Sequence, residues 1–214
     1  RVLAGQADPS EVFDLRLRTL KAQSRFRQSP VRGYLGGRID LIPHQFYILD
    51  EVSNRQIPRI LLADEVGLGK TIEACLILQR LLATGRAKRA LILVPESLVH
   101  QWFVELLRRF NLWFTIFDEG RCLACEESEP EKNPFSSAQL GLASVAFLAG
   151  NDTRREQVVE AGWDMVIVDE AHQLAWANAK LCQHRLNLLD RGRIIEVATD
   201  RRLHTTVFEQ RECL

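Results

Sequence analysis

A glycine-rich turn between an apolar strand and a helix constrains the fold of this chain more than any other feature of its sequence. The turn contains Gly67 and Gly69 and ends in Lys70 and Thr71. In such a turn successive backbone N–H groups and the helix N-terminus face one small volume, which attracts phosphate. Glycine allows the backbone to approach closely, the lysine ammonium pairs with the outer phosphates, and the threonine hydroxyl can bind Mg²⁺. The turn therefore predicts a nucleoside triphosphate site.

A second apolar run, much later in the chain, ends in two adjacent carboxylates. Residues 166–168 are valine, isoleucine and valine, and Asp169 and Glu170 follow them. Because Mg²⁺ prefers oxygen ligands, Asp169 is the expected metal ligand together with Thr71, while Glu170 can orient and deprotonate an attacking water. Glu170 and Lys70 are therefore the candidate catalytic residues of the predicted site.

Apolar strands alternate with helical patterns from residue 41 onward. Strands are predicted at residues 60–63, 90–94, 113–117, 140–144 and 164–168, and helices at 43–56, 70–84, 97–110 and 152–161. Ser97 is the expected cap of the third helix, and Asp152 or Thr153 that of the fourth. The acidic stretch 126–134 is predicted to be a loop. Unbroken apolar strands separated by helices favour an α/β fold, with a mostly parallel sheet and helices on both faces. The ligand then binds at the carboxyl ends of the strands.

Charge, hydropathy and cysteine content narrow the class of protein. The chain has 28 basic and 28 acidic side chains, so any contact with a nucleic acid must be local. The arginine-rich segment 1–40 is either a solvated face or an arm that follows phosphates. No apolar run reaches the roughly 20 residues that cross a bilayer, so we expect no membrane contact. Five scattered cysteines favour the cytoplasm, and Cys122 and Cys125 are either half of a zinc site or free thiols.

Four segments in order, residues 41–45, 62–71, 91–102 and 164–172, resemble the first-lobe motifs of superfamily 2 helicase-like ATPases of the Swi/Snf type. An acidic pair ahead of the glycine turn is usual in that family, which accounts for Asp64 at a position where the general phosphate-loop pattern has glycine. The resemblance implies a RecA-like P-loop NTPase lobe over residues 41–200. A basic arm or linker at residues 1–40 would precede this lobe, and a divergent or truncated tail at 201–214 would follow it.

The same resemblance implies roles for single residues. Gln45 matches the glutamine that reads the adenine edge, which gives ATP as the nucleotide. His172 matches the residue that couples the nucleotide site to the nucleic-acid groove, although a histidine here can also be purely structural. The remaining nucleotide-binding positions, in chain order, are Asp64, Gly67, Leu68, Gly69, Lys70 and Thr71. ATP and Mg²⁺ are thus the expected cofactors.

The segment after the second predicted strand matches the part of the family that contacts the phosphodiester backbone of DNA. Its candidate contact residues are Pro95, Ser97, Gln101 and Trp102. On chemistry alone, a tryptophan on a helix face is more typical of a core residue. The family strand after the acidic one carries Thr-Ala-Thr-Pro, of which only Ala198 and Thr199 remain here.

The resemblance implies that the complete protein couples ATP hydrolysis to translocation on double-stranded DNA and remodels RNA polymerase or other protein–DNA complexes. The chain begins at Arg1, so we expect it to be a piece of a longer protein. No second lobe with its arginines follows within these residues, and such an arginine is worth roughly 10³ to 10⁵ in rate. The alternative is therefore a truncated, non-hydrolysing ATP-binding module that interacts with polymerase or nucleic acid.

Overall fold

A six-stranded parallel sheet forms the centre of the lobe. The computed structural model describes residues 9–29, 33, 37–40, 42–62, 69–170 and 193–197. The strands are β1 (Arg59–Leu62), β2 (Ala90–Val94), β3 (Thr115–Phe117), β4 (Leu140–Ser144), β5 (Met165–Val168) and β6 (Arg193–Val197). Their order across the sheet is β1-β6-β5-β2-β4-β3, and every neighbouring pair is parallel. The predicted α/β fold is confirmed.

Helices connect these strands. They are α1 (Ser10–Gln28), α2 (Pro43–Ser53), α3 (Lys70–Thr84), α4 (Val99–Phe110), α5 (Glu119–Ser128), α6 (Val145–Ala149) and α7 (Asp152–Glu160), with 3₁₀ turns at Glu96–Leu98 and Pro134–Ser137. Pro43 is the first residue of α2, where its missing N–H costs nothing. Helix α3 ends at Gly85, which adopts the left-handed conformation at φ +73°. None of the helices in the described ranges is long and apolar enough to cross a membrane.

The two faces of the sheet bury two separate cores. On strand β2, Ala90, Ile92 and Val94 belong to a core shared with α2, α3 and α4. Leu91 and Leu93, between them in sequence, belong to a second core shared with α5, α6 and α7. Because successive side chains of a strand point to opposite faces, this alternation confirms that helices cover both faces of the sheet.

Two predicted helix caps and one predicted loop differ from the structure. Ser97 lies in the 3₁₀ turn and is exposed, and α4 begins two residues later with no side-chain cap. The cap of α7 is Asn151, whose side chain accepts a hydrogen bond from the backbone N–H of Arg154, and is neither Asp152 nor Thr153. Helix α5 occupies the start of the predicted loop 126–134, because it runs to Ser128.

Helix α1 lies at the periphery of the lobe. All side chains from Pro9 to Arg25 are exposed. Just beyond the C-terminal end of α1, the carbonyl of Ser29 accepts a hydrogen bond of 3.2 Å from Nη1 of Arg80, a residue of α3. The described part of the segment 1–40, which the sequence predicted as a basic arm or linker, is therefore mostly helical. The tail 201–214 lies outside the described residues.

Candidate nucleotide site

The N-terminus of α3 forms the first wall of the site. Gly69 precedes the helix with φ +83°, a left-handed conformation that favours glycine. Lys70 is the first residue of the helix and is 9% exposed, and Thr71 is half-buried. Since the first backbone N–H groups of a helix have no partner within the helix, this end of α3 carries donors and a positive dipole beside a lysine. Such an arrangement binds phosphate.

Helix α2 places an amide against this turn. Gln45 is 4% exposed, and its Nε2 atom would lie 2.7 Å from a Cβ atom built on Gly69. A side chain at position 69 would therefore displace the Gln45 amide. The absence of a Cβ at Gly69 is thus what allows the glutamine and the turn to approach so closely.

A buried carboxylate forms the opposite wall. Asp169 follows β5, is 7% exposed, and its N–H donates to the Leu93 carbonyl at 2.9 Å. Its Oδ2 accepts from the indole Nε1 of Trp102 at 2.7 Å, and its Oδ1 accepts from the N–H of Glu170 at 2.9 Å. Burial raises the pKa of Asp169, while these two hydrogen bonds and the charge of Lys70 act in the opposite direction. Each carboxylate oxygen keeps a lone pair for a cation.

The two walls face one cleft of about 340 Å³. Residues that line it come from α3, from the end of β5, from α4 and from the end of β6: Gly69, Lys70, Thr71, Asp169, Glu170, Leu98, Gln101, Trp102, Glu105 and Val197. The N-terminus of α3 and the acidic pair, distant in sequence, therefore share a single volume at the carboxyl edge of the sheet. A hydroxyl and a carboxylate beside a lysine fit a magnesium-bound triphosphate, because Mg²⁺ takes few protein oxygens and shares the phosphates.

Part of the predicted site lies outside the described residues: Asp64, Gly67, Leu68 and His172. Among the predicted DNA contacts, Pro95 is half-buried, and Ser97 and Gln101 are exposed. Trp102 is 2% exposed, so the structure places its indole in the core, which is the position that its residue type alone favours. Its helix turns it inward, where it packs in the core and donates to Asp169.

Two acidic residues near the cleft were not predicted from the sequence. Glu105 lies one turn after Gln101 on α4 and shares its wall of the cleft, a position that the spacing of four residues could have indicated. Glu73, in the first turn of α3, is 1% exposed, and the Nε2 atom of His44 lies 3.6 Å from its Oε1. This contact joins α2 to the first turn of α3.

The cysteine pair lies on the opposite face of the sheet from this cleft. Cys122 is fully buried in α5, and burial raises its pKa to about 11. Cys125 is half-buried on the same helix. Within the described ranges, no group of three histidine, cysteine or acidic residues is placed to hold a metal ion. A complete zinc site would need further ligands from Cys182, His184 or Cys213, and these residues lie outside those ranges.

Known proteins resemble this chain in sequence and in fold. The model of the SNF2-related domain matches residues 46–199. The RNA polymerase-associated protein RapA of Actinobacillus pleuropneumoniae serotype 5b (strain L20) is 53% identical over 182 residues, which cover 83% of this chain and 19% of that protein. RapA of Vibrio vulnificus (strain YJ016) is 54% identical over 181 residues, or 84% of this chain and 18% of that protein.

The chain thus spans about a fifth of the length of these curated relatives. Among solved structures, the Sulfolobus solfataricus SWI2/SNF2 ATPase core in complex with dsDNA matches with a TM-score of 0.64. That match covers 79% of this chain and 34% of the other at 20% sequence identity, and it concerns the fold alone.

Proposed function

This chain belongs to the SNF2-related domain family, and on that basis we propose that it is the first, ATP-binding lobe of an ATPase that couples hydrolysis to translocation on double-stranded DNA. The observation that carries the proposal is the single cleft that Lys70 and Thr71 share with Asp169 and Glu170. The names of its relatives, RNA polymerase-associated proteins, favour RNA polymerase or another protein–DNA complex as the target of remodelling. A cytoplasmic location is consistent with such a target.

The residues of the cleft divide the work of binding and hydrolysis. The backbone at Gly69 and the N-terminus of α3 bind the phosphates, and the Lys70 ammonium neutralises their charge. Thr71 and Asp169 would hold Mg²⁺, which when bound supplies positive charge to the phosphate oxygens. Glu170 accepts the proton of the attacking water. Every one of these side chains lines the same cleft.

The nucleotide base and the DNA have separate candidate contacts. We assign the buried Gln45 amide beside Gly69 to the adenine edge, since an amide offers both a donor and an acceptor. We assign Pro95, Ser97 and Gln101 to the phosphodiester backbone. The exposure of Ser97 and Gln101 at the carboxyl edge of the sheet supports this assignment.

A non-hydrolysing ATP-binding module is the second candidate function. Among the described residues that line the cleft, Lys70 is the only cation, and no arginine contributes to it. Since an arginine at the transferred phosphate accelerates related hydrolases by roughly 10³- to 10⁵-fold, this chain by itself should hydrolyse ATP slowly. Binding and turnover must therefore be measured separately.

The test of the proposal is Mg²⁺-dependent ATP binding, measured by calorimetry on the purified chain. Lys70→Ala should weaken binding about 10- to 150-fold, the equivalent of about 1.5–3 kcal/mol for hydrogen bonds to a charged group. Lys88→Ala is the matched control, because Lys88 is exposed and precedes β2 at the opposite edge of the sheet. Equal affinity of the Lys70 variant and the parent would remove the basis of the proposal.

Hydrolysis separates the two candidate functions. Glu170→Gln keeps the size of the side chain but removes the base, so it should bind ATP and fail to turn it over. Phosphate release by the parent chain above the level of this variant supports the hydrolase. Equal release from both supports the non-hydrolysing module.

A further inference from the structure

A buried indole N–H needs a hydrogen-bond partner, and for Trp102 that partner is a carboxylate and not a backbone carbonyl. The side chain lies in the first turn of α4, is 2% exposed, and its indole Nε1 donates to the Oδ2 atom of Asp169 at 2.7 Å. This distance lies in the range of hydrogen bonds to an ionised acceptor. The indole is therefore placed to bind the charged carboxylate that the proposed function assigns to Mg²⁺.

The two oxygens of Asp169 are held from two directions. Oδ2 is held by α4 through Trp102, and Oδ1 is held by the N–H of Glu170 at 2.9 Å. A carboxylate with one donor on each oxygen cannot rotate freely about its own axis. Its orientation toward the cleft is therefore fixed by the position of α4 as well as by the end of β5.

We propose that Trp102 is a positioning residue, which holds Asp169 in the orientation that binds Mg²⁺. The inference rests on the proposed function, because it requires that the cleft binds Mg²⁺ with ATP. Partners that hydrogen-bond to metal ligands typically change metal affinity by about 10- to 100-fold when they are removed. Gln101 and Glu105 of the same helix also line the cleft. Helix α4 therefore forms one wall of the cleft and also determines the orientation of the Asp169 carboxylate.

A second buried indole provides a matched control. Trp163 is 8% exposed, and its Nε1 donates to the Val158 carbonyl at 3.0 Å. It belongs to the core on the other face of the sheet, away from the cleft. Trp102→Phe and Trp163→Phe each remove one buried indole N–H and keep an aromatic ring, but only the first removes a partner of Asp169.

The experiment compares ATP binding by the parent and both variants in excess Mg²⁺ and in EDTA. Trp102→Phe should reduce the enhancement of ATP affinity by Mg²⁺ about 10-fold or more and leave the affinity in EDTA within about twofold of the parent. Trp163→Phe should keep the parental enhancement. Parental enhancement in Trp102→Phe overturns the inference and leaves the proposed function intact, whereas a parent that binds no ATP in Mg²⁺ overturns both.

A double-mutant cycle with Asp169→Asn separates positioning from packing. If Trp102 acts through the carboxylate, Trp102→Phe should have no further effect on the Mg²⁺ enhancement once Asp169 is replaced. Independent losses from the two substitutions would show that Trp102 acts elsewhere and would overturn the inference.

A measurement on the unmutated chain covers the case in which Trp102→Phe does not fold. In ¹⁵N-labelled protein, the indole N–H resonance of Trp102 should shift on titration with Mg²⁺ and ATP and stay in place with ATP in EDTA. The indole resonance of Trp163 should not respond to either. A Trp102 resonance that ignores Mg²⁺ in a chain that binds Mg²⁺ and ATP contradicts the proposed positioning role.

Discussion

Replacing Gly69 with alanine would impose two distinct costs that the structure separates. The first is conformational, because φ is +83° at this residue and a left-handed conformation costs an L-residue with a Cβ about 1–2 kcal/mol. The second is steric, because the new Cβ would lie 2.7 Å from Nε2 of Gln45. That atom is the end of a flexible side chain, so we expect the Gln45 amide to move rather than the helix to unfold.

Gly85→Ala isolates the first cost. Its φ is +73°, nearly that of Gly69, and a Cβ at Gly85 would have no atom within 4 Å. Both variants should lose about 1–2 kcal/mol, which for a chain of this size lowers the melting temperature by about 2–8 °C. The difference between them should appear in the nucleotide site, because only Gly69→Ala displaces Gln45.

The assay is the ratio of ATP to GTP affinity for the parent and both glycine variants. If the Gln45 amide reads adenine, Gly69→Ala should lower this ratio about 2- to 12-fold, the worth of one neutral hydrogen bond. Gln45→Ala should lower it equally, and the double variant should show no further loss. Gly85→Ala should keep the parental ratio. A parental ratio in a folded Gly69→Ala protein would refute the assignment of Gln45 to the base.

Two further predictions concern the other face of the sheet. Arg154 is buried and pairs with Glu119 and Glu126, and its hydrogen bonds lower the pKa of both carboxyl groups. These ion pairs stabilise the fold at pH values above 4.5, the ordinary pKa of a glutamate, and are lost as the pH falls through the lowered pKa values. Acid should therefore reduce the melting temperature less steeply in Arg154→Met than in the parent. Parallel curves of melting temperature against pH for the two proteins would contradict this. In the native protein, iodoacetamide should label Cys125 before Cys122, whose pKa burial raises to about 11; equal labelling of the two peptides by mass spectrometry would contradict it.

Strand positions were predictable where both faces of a strand are buried. Strands β2 and β4 have the predicted bounds, because every residue of β2 is buried and its apolar run ends where burial ends. Strand β3 is shorter than predicted. Trp113, the first residue of the predicted strand, is 69% exposed, and the strand begins at Thr115. An apolar residue at a strand end does not reveal from sequence alone whether a neighbouring element covers it.

Helix α5 shows how a distant charge overrides a local signal. The sequence is rich in acid from residue 126 onward, which predicts a loop, yet α5 continues to Ser128. Arg154 of α7 accounts for the difference, because it pairs with Glu119 at the start of the helix and with Glu126 near its end. The pairing depends on two helices that are separated in sequence by β4, so no pattern within α5 could have indicated it.

The contact between Trp102 and Asp169 could not be predicted from the sequence, because it depends on the order of strands in the sheet. The amphipathic pattern of α4 favours burial of Trp102, and the end of β5 was predicted to carry the carboxylate. The sequence pattern does not predict that β5 pairs with β2, the strand that precedes α4. Only this pairing brings two residues 67 positions apart into hydrogen-bond contact. The members of the cleft were therefore predictable one by one, and their contacts were not.

The backbone at Glu170 connects this geometry to the proposed chemistry. Two described residues other than glycine have positive φ, namely Asn111 at 53° and Glu170 at 49°. Asn111 caps α4, where asparagine commonly adopts this conformation. Glutamate does not commonly adopt the left-handed conformation, so this conformation of Glu170 costs about 1–2 kcal/mol. It is held by the N–H of Glu170, which donates to Asp169 Oδ1, and Asp169 is held in turn by Trp102. The turn that strains the backbone is also the turn that places both carboxylates at the cleft, which is where strained conformations in proteins concentrate.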